Sequence, residues 1–372
     1  HPVWVDDDQF QLDYHERHIA LPNPGTEQQL KSLVGRLMSQ QLDRTRPLWE
    51  IAVVEGLEDG GFAMVSKTHH CMIDGVSGID LMAVLLDFSP QFEVKEAERF
   101  VARAAPNSTE LAVREVSRAI SSTIGSLGDL SGMIRNLDDA REGLTHRIKA
   151  TGASLASGWL TRTDETPLNG EIGPARWFDW VSFGLDDVKA IKNEHECTVN
   201  DAMLAIVAGA VRGYMLEEAG LSELDVASKE FRVMAPVSVR AQGESGTLGN
   251  RVAMWLMEVP IGEKDPAKRI RIIREETKTL KETDQALGAS TLVDVSTGAP
   301  SVLVSLAVRV GSKGIRPFNM TVTNVPGPQF PMFLAGSQMR ATYPLVPLWE
   351  THGVGVAMFS LSGRIYVGIN MD

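Results

Sequence analysis

The segment TVNDAMLAIVAGAVRGYMLEE, residues 198–218, is apolar on nearly every side of a helix. A helix without a polar face has to be wrapped by other elements. The apolar runs of the chain, such as 202–210, fall short of the roughly 20 residues that span a bilayer, so the wrapping is expected to come from protein. Thr198 and Asp201 have the spacing of a capping box at the start of this helix. Its surroundings supply the wrapping. Residues 176–183, 231–239, 252–259 and 320–324 read as strands, and two more are expected within 353–370, on either side of Ser362-Gly363. Residues 186–196 read as a helix, and Asp265-Pro266 opens another with proline in its first turn. Strands and helices alternate, which is the pattern of an α/β or α+β protein.

The first half has the same texture. Residues 12–21 read as a strand closed by Pro22 and Pro24. Residues 27–42 read as a helix with Leu30, Leu33, Val34 and Leu37 on one face. Residues 49–54 and 62–68 are expected to pair as a hairpin across a Glu-Asp-Gly-Gly turn. From 92 to 159 the chain is rich in Ala, Arg, Glu and Ser, with helical periodicity and no strand signal. Proline and glycine then cluster in 158–175, which reads as a linker or crossover. A chain of 372 residues is large for one core, so two domains are expected, 1–160 and 161–372. The tetrapeptide PLWE occurs at 47–50 and again at 347–350. The offset does not match a duplicated half, so the echo reads as coincidence.

A net charge of −12 argues against a nucleic-acid partner, because no basic stripe is available for phosphates. Cys71 and Cys197 are the only cysteines, too few for a disulfide framework, and no signal-peptide pattern opens the chain. A reducing cytoplasm is therefore expected.

The chemistry concentrates in KTHHCMIDGVSG, residues 67–78. The strand reading ends just before it, and Val76, Ile79, Met82 and Leu86 space out one helical face just after it. Side chains at such a junction can point into a cleft while their backbone stays anchored. The chain has only 8 histidines, and His69 and His70 are adjacent. Histidine is the side chain best placed to move protons near neutral pH. In an extended chain the two rings point to opposite faces, so one is expected to face the core and support structure. Asp74 could orient an imidazole, pin the loop through an arginine, or cap the helix beginning at Gly75. Adjacent histidines cannot easily share one metal, and no helical H-E-x-x-H pair is present, so no metal is expected. There is no G-x-S-x-G elbow and no papain-like setting for Cys71. Direct transfer of an acyl group to a hydroxyl or amine, with a histidine base and no covalent intermediate, is the economical chemistry.

HHCMIDG matches the H-H-x-x-x-D-G signature of the chloramphenicol acetyltransferase-like superfamily. The flanking LDRTRPLWEIAVVEGLEDGGFAMVSKTHHCMIDGVSG resembles the bacterial wax ester synthase/diacylglycerol acyltransferase family, including its P-L-W segment. TVNDAMLAIVAGAVR, APVSVR, LGNR and TVTNVPGP resemble later landmarks of that family, in the expected order. The resemblance spans essentially the whole chain. It implies two acetyltransferase-like α/β domains, each a mixed sheet with helices, joined by a crossover, with the motif in a channel at their interface.

The resemblance also implies roles. His70, the second of the pair, takes the part of base; His69 supports it, and Asp74 makes a structural salt bridge, for which Arg240 and Arg251 are candidates. Gly75, Asn200 and Asp201 are expected to shape the substrate site, with capping as the other reading of Asp201. Acyl-CoA is the implied co-substrate, with no other cofactor, and diacylglycerol or a fatty alcohol the acceptor. Such substrates imply peripheral attachment to the inner membrane or lipid inclusions. Residues 92–159 are the expected contributor, through Arg135, Arg141 and Arg147, although a solvated connecting helix pair fits the same sequence. The 15 methionines, Met64, Met72, Met203, Met254 and Met257 among them, suit a tolerant apolar tunnel as well as ordinary core filling. The family pattern begins with an additional strand and helix that this chain, opening on His1, is expected to lack.

Overall fold

The computed structural model describes residues 3, 5–72, 82, 84–93, 100–111, 113, 117, 162–238, 252–282 and 316–372. Asp74, Gly75, Arg135, Arg141, Arg147, Arg240 and Arg251 lie outside them, as does most of 92–159.

Two mixed sheets organise the described chain. The first has three strands in the order β1-β2-β3, with β1 at Glu16–Ala20, β2 at Trp49–Glu55 and β3 at Ala63–Thr68. β1 runs parallel to β2, and β2–β3 is the expected antiparallel hairpin. Helix α2, Glu27–Ser39, begins at a Thr26–Gln29 capping box and covers one face of this sheet. Leu30, Leu33 and Leu37 of the helix pack with Ile19, Val54, Ala63 and Val65. The segment ahead of β1 departs from the expected strand, since Leu12–His15 forms a single helical turn, α1. Packing decides this: His15 is buried in an aromatic cluster, its ring stacked against both Phe10 and Trp49, and its Nδ1 lies 2.7 Å from the Trp49 carbonyl. An extended backbone would carry it out of that stack.

The second sheet has six strands in the order β4-β11-β10-β7-β5-β6. They are β4 Trp177–Gly184, β5 Arg232–Ser238, β6 Val252–Glu258, β7 Met320–Val325, β10 Val354–Leu361 and β11 Arg364–Met371. The short β8 (Phe333–Leu334) and β9 (Ser337–Gln338) form a separate pair. β10 and β11 are joined through Ser362 (φ 46°) and Gly363 (φ 79°), the positive-φ pair that a two-residue hairpin turn needs.

Helices α3 (Leu185–Glu194), α4 (Val199–Glu217) and α6 (Pro266–Glu282) line one face of this sheet. A short α5 (Glu223–Ser228), not evident from periodicity, follows α4. Among the described residues, α4 is the one helix long and apolar enough to cross a membrane. It is spent on the core instead. Ala202, Met203, Leu204, Ala208, Val211 and Met215 are buried against strand residues such as Val233, Met257, Val322 and Met358. Even Arg212 is enclosed, donating to the carbonyls of Ile261 and Gly262 and pairing with Glu223.

The two sheets meet along α2 and the segment that follows the histidine motif. Gly35 of α2 sits so close to β4 that a Cβ there would lie 2.6 Å from the Arg176 carbonyl oxygen. The Arg176 amide donates to Ser39 Oγ (2.8 Å), and Lys31 pairs with Asp179 at 2.6 Å while lying over the Trp180 ring. Burial alone would lower the Lys31 pKa, but its bonds to Asp179 and Glu27 outweigh that and raise it. Further along, Asp87 and Phe333 exchange backbone hydrogen bonds, and Met82, Leu85 and Leu86 pack onto Met332, Phe359, Leu361 and Tyr366.

His352, just ahead of β10, links fold stability to pH. It is 6% exposed, stacks on Phe318, and its Nε2 lies 2.8 Å from the Phe318 carbonyl oxygen. Burial holds its pKa down to about 4; the hydrogen bond to Phe318 opposes this, and the nearby Arg316 guanidinium adds to it. The unfolded chain therefore takes up a proton at this site near pH 6.5, while the folded chain does so only near pH 4. The stability that neutral His352 supports is complete above pH 6.5 and is lost as the pH falls toward 4. With each pKa unit worth 1.36 kcal/mol, the loss amounts to up to about 3 kcal/mol. Urea unfolding at several pH values should show a steeper acid loss in the wild type than in H352Q, which keeps a donor for Phe318 but has no imidazole. Equal slopes would remove His352 as the cause.

Candidate active site

The histidine pair sits where the hairpin strand runs out. The His69 amide donates to the Leu48 carbonyl (2.9 Å), one step beyond the β2–β3 ladder. The chain then turns, with the Met72 amide donating to the His69 carbonyl (2.9 Å). His70 and Cys71 are the corner residues of that turn. His69 is half-buried, and its Nδ1 accepts the Cys71 amide hydrogen at 3.2 Å. Nδ1 of His69 is therefore the unprotonated nitrogen, and the ring is tied into its own turn. His70 carries an exposed side chain. His69 is thus the more enclosed of the two residues.

Both histidines border a cavity of about 2920 Å³ that runs between the two sheets. Its wall on the first side is α2 and β3. On the other side it is β5, β7, the start of α4, and the segment 337–349, which includes Pro347, Leu348 and Trp349 of the second PLWE. Apolar side chains such as Met82, Met234, Met254, Trp180 and Leu348 make up much of the lining. Met64 also lines it, whereas Met203 and Met257 are core residues. A cleft of this size and character accommodates long apolar ligands.

Asn200 and Asp201, adjacent in sequence, have different employment. Asn200 borders the cavity, and its Oδ1 lies 3.5 Å from the Asn324 Nδ2 at the end of β7. Asp201 is 2% exposed. Its Oδ2 accepts the Thr198 amide hydrogen (2.8 Å), and the Thr198 hydroxyl oxygen accepts the Asp201 amide hydrogen (3.1 Å), completing the capping box. Its Oδ1 accepts the Thr277 hydroxyl from α6 (2.9 Å). Both carboxylate oxygens thus hold the fold together, as the capping reading expects, and Asp201 also borders the cavity. Among the described residues, no three His, Cys, Asp or Glu side chains gather as a metal site would need.

Residues 1–203 match the wax ester synthase/diacylglycerol acyltransferase catalytic domain, and residues 248–372 match the C-terminal domain of the same family. This chain belongs to the wax ester synthase/diacylglycerol acyltransferase family. It is thereby an acyltransferase. Two Mycobacterium tuberculosis members, the probable diacylglycerol O-acyltransferases tgs1 and tgs2, are similar to it at 31% and 32% identity. The alignments cover 100% and 99% of this chain and 76% and 78% of those proteins. The wax ester synthase/diacylglycerol acyltransferase of Marinobacter aquaeolei VT8 superposes with a TM-score of 0.66 at 24% identity, over 100% of this chain and 76% of that one. A starter condensation domain of rhizomide synthetase shares the fold more distantly, with a TM-score of 0.50 at 11% identity. The fold is the two-domain, mixed α/β arrangement that these wax ester synthase and condensation-domain structures share.

Sequence reasoning passed over Lys67 and Glu50. Both face α2, and their positions opposite one another in the hairpin were implicit in its pairing.

Proposed function

We propose that this chain transfers a fatty acyl group from acyl-CoA to the hydroxyl of diacylglycerol or a long-chain alcohol, with His70 as general base. The observation that carries the reading is the exposed His70 at a β-turn corner on a large, mostly apolar cavity between two sheets, in a chain of this family. His70 takes the acceptor hydroxyl proton as the oxygen attacks the thioester carbon. The tetrahedral oxyanion then collapses, the carbon–sulfur bond breaks, and His70 returns the proton to the departing CoA thiolate. The oxyanion needs a hydrogen-bond donor, and Asn200, on the same cavity, is the candidate. Asp74 and Gly75 retain the loop-fixing and site-shaping roles that the motif implies. The acyl-CoA is a co-substrate, and no further cofactor enters the reaction. The apolar substrates place the enzyme at the periphery of the inner membrane or of lipid inclusions.

CoA-release kinetics test the reading. Turnover is expected with diacylglycerol and with long-chain alcohols, and little with amines. Turnover with amines alone would move the protein to another nucleophile, and saturable acyl-CoA binding without CoA release would make it a binding protein. Acyl length gives a sharper test. Each buried methylene contributes about 0.8 kcal/mol, so activity should rise from acetyl-CoA to palmitoyl-CoA. A preference for acetyl-CoA in a side-by-side assay would contradict an acyl tunnel.

A further inference from the structure

We propose that Lys67 and Glu50 are positioning residues that fix the place of His70, an inference that rests on His70 being the base. Lys67 lies on β3 opposite Glu50 of β2, just before the histidine turn. Its Nζ meets the carbonyl oxygens of Leu37 (3.2 Å) and Gln40 (3.0 Å) at the C-terminal end of α2. Glu50 Oε2 lies 3.4 Å from the same nitrogen. One ammonium group thus joins α2, β2 and β3 at the point where β3 delivers His69 and His70.

Elementary chemistry explains why a lysine stands there. The last carbonyls of a helix lack intrahelical partners and carry about half a negative charge, which a cation offsets. Glu50 is 9% exposed, and a carboxylate so enclosed needs cations. It has two, since Arg17 Nη2 of β1 lies 3.3 Å from the same oxygen. The cluster therefore spans all three strands of the first sheet and the helix that covers it.

Lys67 also borders the cavity, so a direct role with an anionic substrate has to be weighed. The ammonium has three N–H groups, and three acceptors already surround it within 3.4 Å. A phosphate would have to displace one of them. The geometry instead assigns Lys67 to holding the strand. Beyond it the backbone is anchored by the His69–Leu48 bond and then turns, so a shift of β3 against α2 passes directly to His70. A displacement of about 1 Å at a reacting group can cost on the order of 100-fold in rate.

The test compares K67M, which keeps the chain length and removes the charge, with K67R and E50Q in the full chain. The readouts are kcat per folded molecule, KM for palmitoyl-CoA, and the thermal midpoint. K67M should lose about 10- to 100-fold in kcat with KM within about threefold of wild type. K67R, whose guanidinium supplies several donors to the same acceptors, should recover most of that loss. E50Q should fall between them. In an H70A background, K67M should cost little more, because the group it positions is gone. Wild-type kcat in K67M, a raised KM with kcat unchanged, a loss explained wholly by the unfolded fraction, or full additivity with H70A would each overturn the proposal. Full additivity would leave the base role of His70 standing. Near-normal turnover of H70A alone would instead remove the base role and, with it, the group that Lys67 is proposed to position.

Discussion

Replacing His70 with alanine is expected to lower acyl transfer by about 10²- to 10⁴-fold, the usual contribution of a positioned general base. The loss should fall on the chemical step. His70 is a corner residue of the turn closed by the Met72–His69 backbone bond, so removing its ring leaves the turn's own hydrogen bonds in place. The wall of the cavity is made by many other residues, and acyl-CoA affinity should hardly change. His69→Ala is a different experiment. It removes the acceptor of the Cys71 amide hydrogen and loosens the turn itself, so rate and thermal midpoint should fall together. Pre-steady-state CoA release, with acyl-CoA binding measured calorimetrically, separates the two cases. Near-normal turnover in H70A would rule out the mechanism.

The histidine pair shows what a sequence can and cannot convey. Strand alternation says only that the rings of an adjacent pair diverge. Where β3 ends and the turn begins is fixed by the backbone bonds from His69 to Leu48 and from Met72 to His69, and these leave His69 the more enclosed residue and His70 the exposed one. Elements with a strong period were legible to within a few residues: α2, the β2–β3 hairpin, α4 with its capping box, and the β10–β11 hairpin. The misses have a common cause. α1 is a turn held by aromatic stacking from Phe10 and Trp49, which local propensity does not contain. The Lys67–Glu50–Arg17 cluster draws on three strands and a helix end, and its members are ordinary surface residue types. A charged side chain becomes informative only when the fold encloses it. The recurrent PLWE belongs here as well. The first copy leads into β2 and carries Glu50 of that cluster; the second lies on the cavity wall ahead of β10. Their structural settings differ, as their spacing suggested.

Asp201→Ala is expected to cost about 3–4 kcal/mol of stability, more than any role in substrate contact would require. The carboxylate closes the start of α4, and loss of an N-terminal capping interaction costs about 1 kcal/mol. It also accepts the Thr277 hydroxyl from α6, and a hydrogen bond to a charged group is worth about 1.5–3 kcal/mol. At 2% exposure no solvent can replace either bond. Asp201→Asn separates stability from chemistry. Its carbonyl oxygen can still accept the Thr198 amide hydrogen, and its amide can donate to the Thr277 hydroxyl, whose own hydrogen then goes to the Arg274 carbonyl, so D201N should lose clearly less stability than D201A while folding around the same cavity. If Asp201 acts through the fold, D201N should retain near-normal kcat at a temperature well below its melting point. A D201N protein that is fully folded yet slowed as severely as H70A would assign the carboxylate to the reaction. Urea unfolding and CoA-release rates on the same preparations decide between these outcomes. The answer also bears on Asn200, because the cap that Asp201 completes is what holds that neighbour's amide against Asn324 at the cavity wall.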